Sequence, residues 1–551
     1  MLGLMMNSQL TLTAIMEHAR KFHGDAQIVS VTADEPLHRY RYRDCFARAA
    51  RLANALRRLG ARPGDRVGTL AWNDYRHLEV YFGAACEGLV CHTINPRLFA
   101  EQIDYIITHA ADRVLLVDAA LLPILSPILP GLDLVRDLII IGTPTEPITG
   151  FQGRVHDYDA LLASHAPLVD WPAVDENSAA VMCYTSGTTG HPKGVVYSHR
   201  SIFLHSLGSM GVDAFAISNQ DRILMLPPMF HANAWGTPFS GWFAGSDLVL
   251  PGPHLQPDKI ARAIALTRPS FTAAVPTILN DLLQLHAQAA LDLSCFRVIV
   301  SGGSAVSPAL IERIHAAWGV DVVQGWGMTE TSPICVLSFP PRDATAEQAL
   351  QWRAKSGRPV AGMEVRIVDD HGVALAEDGK TIGALQLRGP WVAAGYYHQT
   401  AEESPLTEDG WLRTGDAGTI DPQGYVQITD RTKDLIKSGG EWISSVDLEH
   451  IIGRFPGVAE VAVIAIPDPR WEERPLAVIA TLDGMRLDFA ALREFLAKQI
   501  AKFMVPEYWA TVTSLPKTSV GKIDKKKLRQ EVEAGVLAYV CETSMIPRGK
   551  D

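Results

Sequence analysis

Apolar positions recur along this chain in two periods. In DCFARAARLANALRRLG (44–60), Phe46, Ala49, Ala53, Leu56 and Leu59 fall three or four apart, which predicts an amphipathic helix that Gly60 can end. The turn ARPGD follows, and RVGTLAWN (66–73) reads as a short strand. The same rhythm returns in FTAAVP (271–276) ahead of the helical ILNDLLQLHAQ, and in FRVIVSGG (296–303) ahead of SPALIERIHAAWG. Short apolar strands alternating with helices predict largely parallel α/β sheets. No repeat of fixed period is present.

From about residue 360 the texture changes. MEVRIVDD, GALQLRG and GYVQITD read as short strands separated by turn signals, a β-rich piece. After DRTKDLIKSGG (430–440), SVDLEHIIGRF is helical, VAEVAVIAIPD strand-like and FAALREFLAKQI helical again, a small α+β unit. The expected fold class is therefore α/β. A large N-terminal domain (1–430) of layered α/β sheets with a β-rich subdomain precedes a small α+β C-terminal domain (431–551), with the boundary near Asp430 to Lys433.

Composition narrows the function more than the fold. With 551 residues the chain is too long for one compact domain. A net charge of −11 argues against a nucleic-acid partner, which requires a basic footprint. The seven cysteines are odd in number and form no CxxC spacing, which suits a reducing compartment with inert thiols and no structural zinc. MLGLMMNSQLTL has no cationic n-region and is a poor signal peptide. The most apolar stretch, LLPILSPILPGLDL (121–134), is broken by prolines, and no run reaches the ~18 apolar residues of a membrane span. A cytoplasmic protein without a transmembrane segment is expected.

The candidate chemistry starts at YTSGTTGHPKG (184–194). It lies between the strand-like SAAVMCY and GVVYSHRSIFLHSL, which begins extended and becomes helical. A glycine-rich turn lets backbone N–H groups converge on an anion, Ser and Thr hydroxyls add donors, and Lys193 adds charge. That is the physics of a polyphosphate loop, but not of a Walker A loop, since no G-x-x-x-x-G-K-[ST] occurs. Far along the chain stand QGWGMTE (324–330), TGD (414–416), DRTKDLIKSGGEW (430–442) and PKTSVGKIDKKKLR (516–529), each weak alone.

Together and in this order these strings resemble the core motifs of the adenylate-forming enzymes: acyl-CoA synthetases, luciferases and peptide-synthetase adenylation domains. The resemblance runs from roughly residue 10 to 530. It implies a two-step reaction in which a carboxylate attacks the α-phosphate of ATP, giving acyl-AMP and pyrophosphate, and a second nucleophile displaces AMP. A carboxylate is a poor electrophile, and the mixed anhydride supplies a good leaving group. Bringing two anions together calls for cations and N–H donors.

The resemblance also implies roles position by position. Thr185, Ser186, Gly187, Thr188, Thr189, Gly190 and Lys193 would hold the β- and γ-phosphates, and Thr185 with Glu330 would hold Mg2+. Gly302, Gly303 and Ser304 resemble the adenine loop, while Gln324, Gly325, Trp326 and Gly327 would form the facing wall. Thr329 would contact the α-phosphate, and Asp416 with Arg431 would bind the ribose. Lys522 resembles the adenylation lysine, and Lys433 stands at the family's hinge position, where many relatives carry Asp. In the family the small domain rotates between half-reactions. One face presents the lysine and the other the KSGGEW segment, where Asp434, Lys437, Gly439, Gly440, Glu441, Trp442 and Glu473 would meet CoA.

For the acid, PPMFHANAWG (227–236) carries the resemblance. His231 would stand beside the acyl carboxylate, and Trp235 looks like the gate tryptophan of fatty acyl-CoA synthetases, with Gly302 and Pro333 beside the pocket. The opening residues, WEERP (471–475) and IKSGGEWISSVDLE are most similar to bacterial medium-chain acyl-CoA ligases, a branch that includes the 3-methylmercaptopropionyl-CoA ligases. The expectation is an acid–CoA ligase for a medium- or short-chain alkanoate or a methylthioalkanoate, acting as a homodimer. An acyl-AMP ligase loading a carrier protein shares every adenylation motif. A non-catalytic nucleotide-binding relative is a third possibility, opposed by intact Lys522, Glu330 and Asp416. A luciferase-like oxygenase has no specific support in the sequence.

Overall fold

The alternating strand–helix pattern folds into two largely parallel sheets. The computed structural model describes the chain except residues 2, 32–36, 169, 186–191, 401–402, 433, 439–440, 483–484, 486, 518–522 and 542–551. The chain divides into two compact units: Met1–Glu364 with Arg388–Leu412, and Val365–Leu387 with Arg413–Asp551.

In the first unit a seven-stranded sheet runs, in spatial order, Arg154–Asp157, Asp137–Ile141, Asp112–Asp118, Arg66–Leu70, Val90–Thr93, Ala179–Tyr184 and Gly194–Ser198. Only its last pair is antiparallel. A nine-stranded sheet has a parallel interior from Gln27–Ser30 to Val322–Gly327 and antiparallel edges. Parallel strands need crossover helices on their faces, so their residues are buried on both sides. Phe271–Ala274 and Val298–Ser301 accordingly have no exposed position.

The helices begin and end where the caps dictate. Tyr42–Leu59 stops at Gly60, whose φ of 93° is left-handed and closes the last turn. Ala49, Ala53 and Leu56 are buried as expected, while Phe46 and Leu59 are half-buried; Cys45 and Leu52 join the core because the helix packs on more than one neighbour. Pro308–Trp318 starts after Ser307, whose hydroxyl accepts from the Leu310 N–H, and ends at Gly319. The proline-broken 121–134 stretch makes only the short helix Leu122–Leu125 and 3-10 turns. Among the described residues no helix is long and apolar enough to cross a membrane.

The second unit holds a four-stranded sheet and a six-stranded sheet. In the first, Leu412–Ile420 pairs antiparallel with the edge strand Val426–Arg431. In the second, Val458–Asp468 and Glu472–Thr481 form a long hairpin backed by Ser445–Ile452 and Phe489–Ala497. The β-rich stretch expected from about 360 thus lies in one compact unit with the C-terminal residues.

Candidate active site

In open α/β sheets, ligands collect beyond the carboxyl ends of the parallel strands. In the first unit those ends carry most of the residues singled out by the motifs. Ala179–Tyr184 and Gly194–Ser198 form a hairpin whose neck is closed twice. The Thr185 N–H donates to the Lys193 carbonyl at 2.9 Å, and the Lys193 N–H donates to the Thr185 hydroxyl at 3.2 Å. The tip residues Ser186, Gly187, Thr188, Thr189 and Gly190 lie outside the described residues. A Cβ on Gly194 would stand 2.5 Å from the Met182 Cε, the end of a flexible side chain that can turn aside, and 3.2 Å from Tyr184 and Tyr397.

From this neck a chain of contacts reaches Glu330. The Lys193 ammonium sits 4.9 Å from the centre of the Tyr396 ring, a cation–π distance. The Tyr396 hydroxyl donates to Glu330 Oε1 at 2.6 Å. Burial and the Glu330 charge both raise the Tyr396 phenol, so it is a proton donor at neutral pH. Glu330 is 6% exposed, and among the described residues its side-chain partner is the Tyr396 hydroxyl. Next to it, the carbonyl of Thr329 accepts from the Tyr197 hydroxyl at 2.7 Å, tying the 329–331 turn to the Gly194–Ser198 strand.

A second cluster forms around Gly302. It follows strand Val298–Ser301, and a Cβ on it would meet the Gly325 carbonyl at 2.7 Å and the Trp235 indole at 3.3 Å. Gly303 has φ +80°, and its own Cβ position lies 3.3 Å from Val275. Ser304 is exposed. Gly302, Gly303, Gly325 and Trp235 therefore share one narrow space. Gln324 supports it from below, since its side-chain carbonyl accepts from the Val306 N–H at 2.7 Å. Trp326 is half-buried, and Gly327 packs so closely on the Pro333 carbonyl that no side chain fits.

Trp235 is held there by unusual backbone. Ala232, Asn233, Ala234 and Trp235 have φ values of 38°, 42°, 53° and 57°, a left-handed turn built without glycine. Each such residue costs ~1–2 kcal/mol, so the surroundings must hold it. The Asn233 amide donates to the Thr93 hydroxyl at 3.3 Å, and the Asn73 amide donates to the carbonyls of Met225 and Pro227 at 2.8 and 2.9 Å. His231 opens the turn, its N–H bonded to the Pro228 carbonyl. Beneath it, burial lowers the His205 pKa to about 3, so the ring is neutral, and its Nε2 accepts from the Ile334 N–H at 3.3 Å.

In the second unit Asp416 and Arg431 face each other across neighbouring strands, with Arg431 Nε 2.9 Å from Asp416 Oδ1. Asp434 is buried against Arg529, and the Lys437 N–H donates to Glu473 at 2.9 Å. Glu441 and Trp442 lie on a strand paired with Ile436–Ser438, Ser438 opposite Glu441. Lys433, Gly439 and Gly440 lie outside the described residues, as does Lys522, whose segment is framed by a bridge between Lys517 and Ile523.

Four contributors carried no signal in the motifs: Tyr396, Tyr197, Asn73 and His205. Each reaches the site from far along the chain, Tyr396 across 66 positions and Asn73 across more than 150. The cysteines contribute none: Cys86 and Cys183 are buried thiols pushed up to about 12 by burial.

Comparison with known proteins agrees with this layout. Residues 15–397 match the AMP-binding enzyme family and residues 447–522 match the AMP-binding enzyme C-terminal domain. A 3-methylmercaptopropionyl-CoA ligase of Ruegeria lacuscaerulensis is 44% identical over 96% of this chain and 99% of its own. A medium-chain-fatty-acid–CoA ligase of Ectopseudomonas oleovorans is 41% identical over 98% of this chain and 100% of its own. The crystal structure of an anthranilate CoA ligase in complex with anthranoyl-AMP superposes with a TM-score of 0.84 at 27% identity, covering 96% of this chain and 99% of that one.

Proposed function

The chain belongs to the AMP-binding enzyme family, and from that premise we propose how its own residues carry the reaction. It is an AMP-forming acid–CoA ligase, converting a carboxylate, ATP and CoA to acyl-CoA, AMP and pyrophosphate. The observation that carries this is the end-to-end similarity to two curated ligases of that class. A carboxylate oxygen attacks the α-phosphorus and the bond to pyrophosphate breaks. The CoA sulfur then attacks the acyl carbon, losing its proton, and AMP leaves.

The phosphate loop from Thr185 to Lys193 binds the triphosphate, with the ammonium of Lys193 supplying charge. Thr185 and Glu330 hold Mg2+, and their donors suit it: a hydroxyl and a buried carboxylate are the oxygen ligands a hard cation takes. When bound, Mg2+ neutralises phosphate charge.

Gly302, Gly303, Ser304, Gln324, Gly325, Trp326 and Gly327 line the adenine pocket, and Asp416 with Arg431 takes the ribose. Thr329 orients the α-phosphate, and Lys522 neutralises the oxygens between carboxylate and phosphate. His231 stands beside the acyl carboxylate, with Trp235, Gly302 and Pro333 closing the pocket. Asp434, Lys437, Gly439, Gly440, Glu441, Trp442 and Glu473 form the CoA side. A 431–551 domain hinged at Lys433 completes this reading. So do a cytoplasmic setting, supported by buried unpaired thiols, and assembly as a homodimer, which size-exclusion chromatography tests.

The acid is a medium- or short-chain alkanoate or a methylthioalkanoate such as 3-methylmercaptopropionate. Relatives named for 3-methylmercaptopropionate and for medium-chain fatty acids stand at nearly equal identity, 44% and 41%. A sulfur in place of a methylene barely changes volume or polarity, and each buried CH2 contributes ~0.8 kcal/mol, so pocket depth sets the preference. The test is CoA-dependent AMP formation from Mg-ATP with acids from acetate to palmitate and with 3-methylmercaptopropionate. A kcat/KM maximum within this set is expected. AMP formation indifferent to CoA would overturn the CoA assignment in favour of carrier loading.

A further inference from the structure

Two candidates outside the proposed reaction have chemistry but no route to it. The buried pair His92–Asp112 has both carboxylate oxygens 2.9 Å from Nδ1 and both side chains 0% exposed, and the buried Glu79 joins Arg48, Tyr40 and Tyr158 as a staple of hydrogen bonds. Tyr396 is different, because it touches two residues of the proposed nucleotide site at once.

The segment 393–397 is strapped to both halves of that site. The Ala393 N–H donates to the Glu330 carbonyl at 2.8 Å, and the Tyr397 N–H donates to the Gly194 carbonyl at 2.8 Å. Tyr396, between these anchors, gives its hydroxyl to Glu330 Oε1 at 2.6 Å and its ring face to Lys193 at 4.9 Å. One side chain thus contacts the carboxylate and the ammonium that flank the phosphate loop. A hydroxyl on one carboxylate oxygen fixes the group's rotation without supplying a positive charge, leaving the full negative charge for a cation. The ring face attracts the lysine far more weakly than a carboxylate would, so it holds Lys193 near the loop and releases it to a phosphate.

We propose that Tyr396 is a positioning residue for the metal–nucleotide complex, orienting Glu330 through its hydroxyl and holding Lys193 on its ring. This rests on Glu330 being the metal ligand and Lys193 a phosphate ligand. The two contacts are separable. Tyr396→Phe removes only the hydroxyl, and Tyr396→Leu removes the hydroxyl and the aromatic face.

The experiment measures, on the full chain, Mn2+ affinity in the presence of ATP by the electron paramagnetic resonance signal of free Mn2+. Metal-free ATP affinity is measured by calorimetry in EDTA, and Glu330→Gln serves as the reference. Partners that orient a metal ligand change metal affinity by about 10–100-fold when removed. Tyr396→Phe is expected to weaken Mn2+ about tenfold while metal-free ATP affinity stays at the wild-type value; Tyr396→Leu weakens both. Steady-state rates should show the Phe variant's deficit as a raised Mg2+ requirement, with kcat recovered at high Mg2+.

If Glu330→Gln weakens Mn2+ and Tyr396→Phe does not, the inference about Tyr396 falls and the role of Glu330 stands. If Glu330→Gln leaves Mn2+ binding unchanged, the reading beneath the inference falls. If Tyr396→Phe loses metal and metal-free ATP binding together, Tyr396 is a structural residue and the inference is overturned.

Discussion

Glu330 and Asp416 are both almost fully buried carboxylates, 6% and 4% exposed, and their charges are met in opposite ways. Asp416 faces Arg431 at 2.9 Å, a cation supplied by the neighbouring strand of the same sheet. Glu330 meets a tyrosine hydroxyl at 2.6 Å and, among the described residues, no arginine or lysine pair. A buried charge without a counter-ion is costly, and on the proposed reading a bound metal ion would supply the charge that Glu330 lacks among the described residues. The difference teaches how two carboxylates of one enzyme divide their work. The one paired inside the protein is suited to accept hydrogen bonds from neutral hydroxyls. The one left to a hydroxyl is suited to bind a cation.

The largest expected effect lies outside both carboxylates. Lys522→Ala should lower the adenylation rate by ~10²-fold or more while sparing thioester formation from supplied acyl-AMP, because on the proposed reading the rotating domain presents the lysine only for the first step. Rapid-quench assays of each half-reaction check this; equal losses in both would remove Lys522 from its proposed role. Glu330→Gln comes next, expected to cut kcat/KM for Mg-ATP by about 10²-fold, since a metal ligand supplies several kcal/mol of charge stabilisation. Asp416→Asn should be milder, about tenfold in KM for ATP, the worth of a hydrogen bond to a charged group. Titrating Mg2+ against each variant separates them. The half-activating Mg2+ concentration should rise for Glu330→Gln and stay fixed for Asp416→Asn, and parallel shifts would collapse the distinction between the two carboxylates.

The smallest effect concerns the scaffold. Gly236 has φ 74°, and a Cβ there would stand 2.3 Å from the His205 ring, so Gly236→Ala should cost ~1–3 kcal/mol of stability, read as a lower denaturation midpoint. An unchanged midpoint would mean that the left-handed turn carrying Trp235 is not clamped by His205.

Much of this was legible along the chain. The helix ending at Gly60, the strands at 271 and 298 with their following helices, and the extended segments on either side of 184–194 could be read from period and capping residues, because these depend on neighbours a few positions apart. The glycines of the site were legible by type, and the reasons for them were not. Gly302 is required by the Gly325 carbonyl and the Trp235 indole, neither of which is near it in sequence. The left-handed turn at 232–235 had little signal, since only Asn233 of its four residues is of a type that favours positive φ.

The sequence by itself determined the α/β class through its periodicity, and the resemblance of its motifs to the adenylate-forming enzymes implied the ligase chemistry and the polar groups proposed for the phosphate loop. Only the tertiary structure decided that Glu330 is met by Tyr396, that Lys193 rests on the same ring, and that Asp416 is paired within its own sheet. The physical reason is distance along the chain. Local periodicity records what each segment must bury, but which buried charge meets which partner is settled when segments pack together, 66 positions apart for Glu330 and Tyr396 and across neighbouring strands for Asp416 and Arg431.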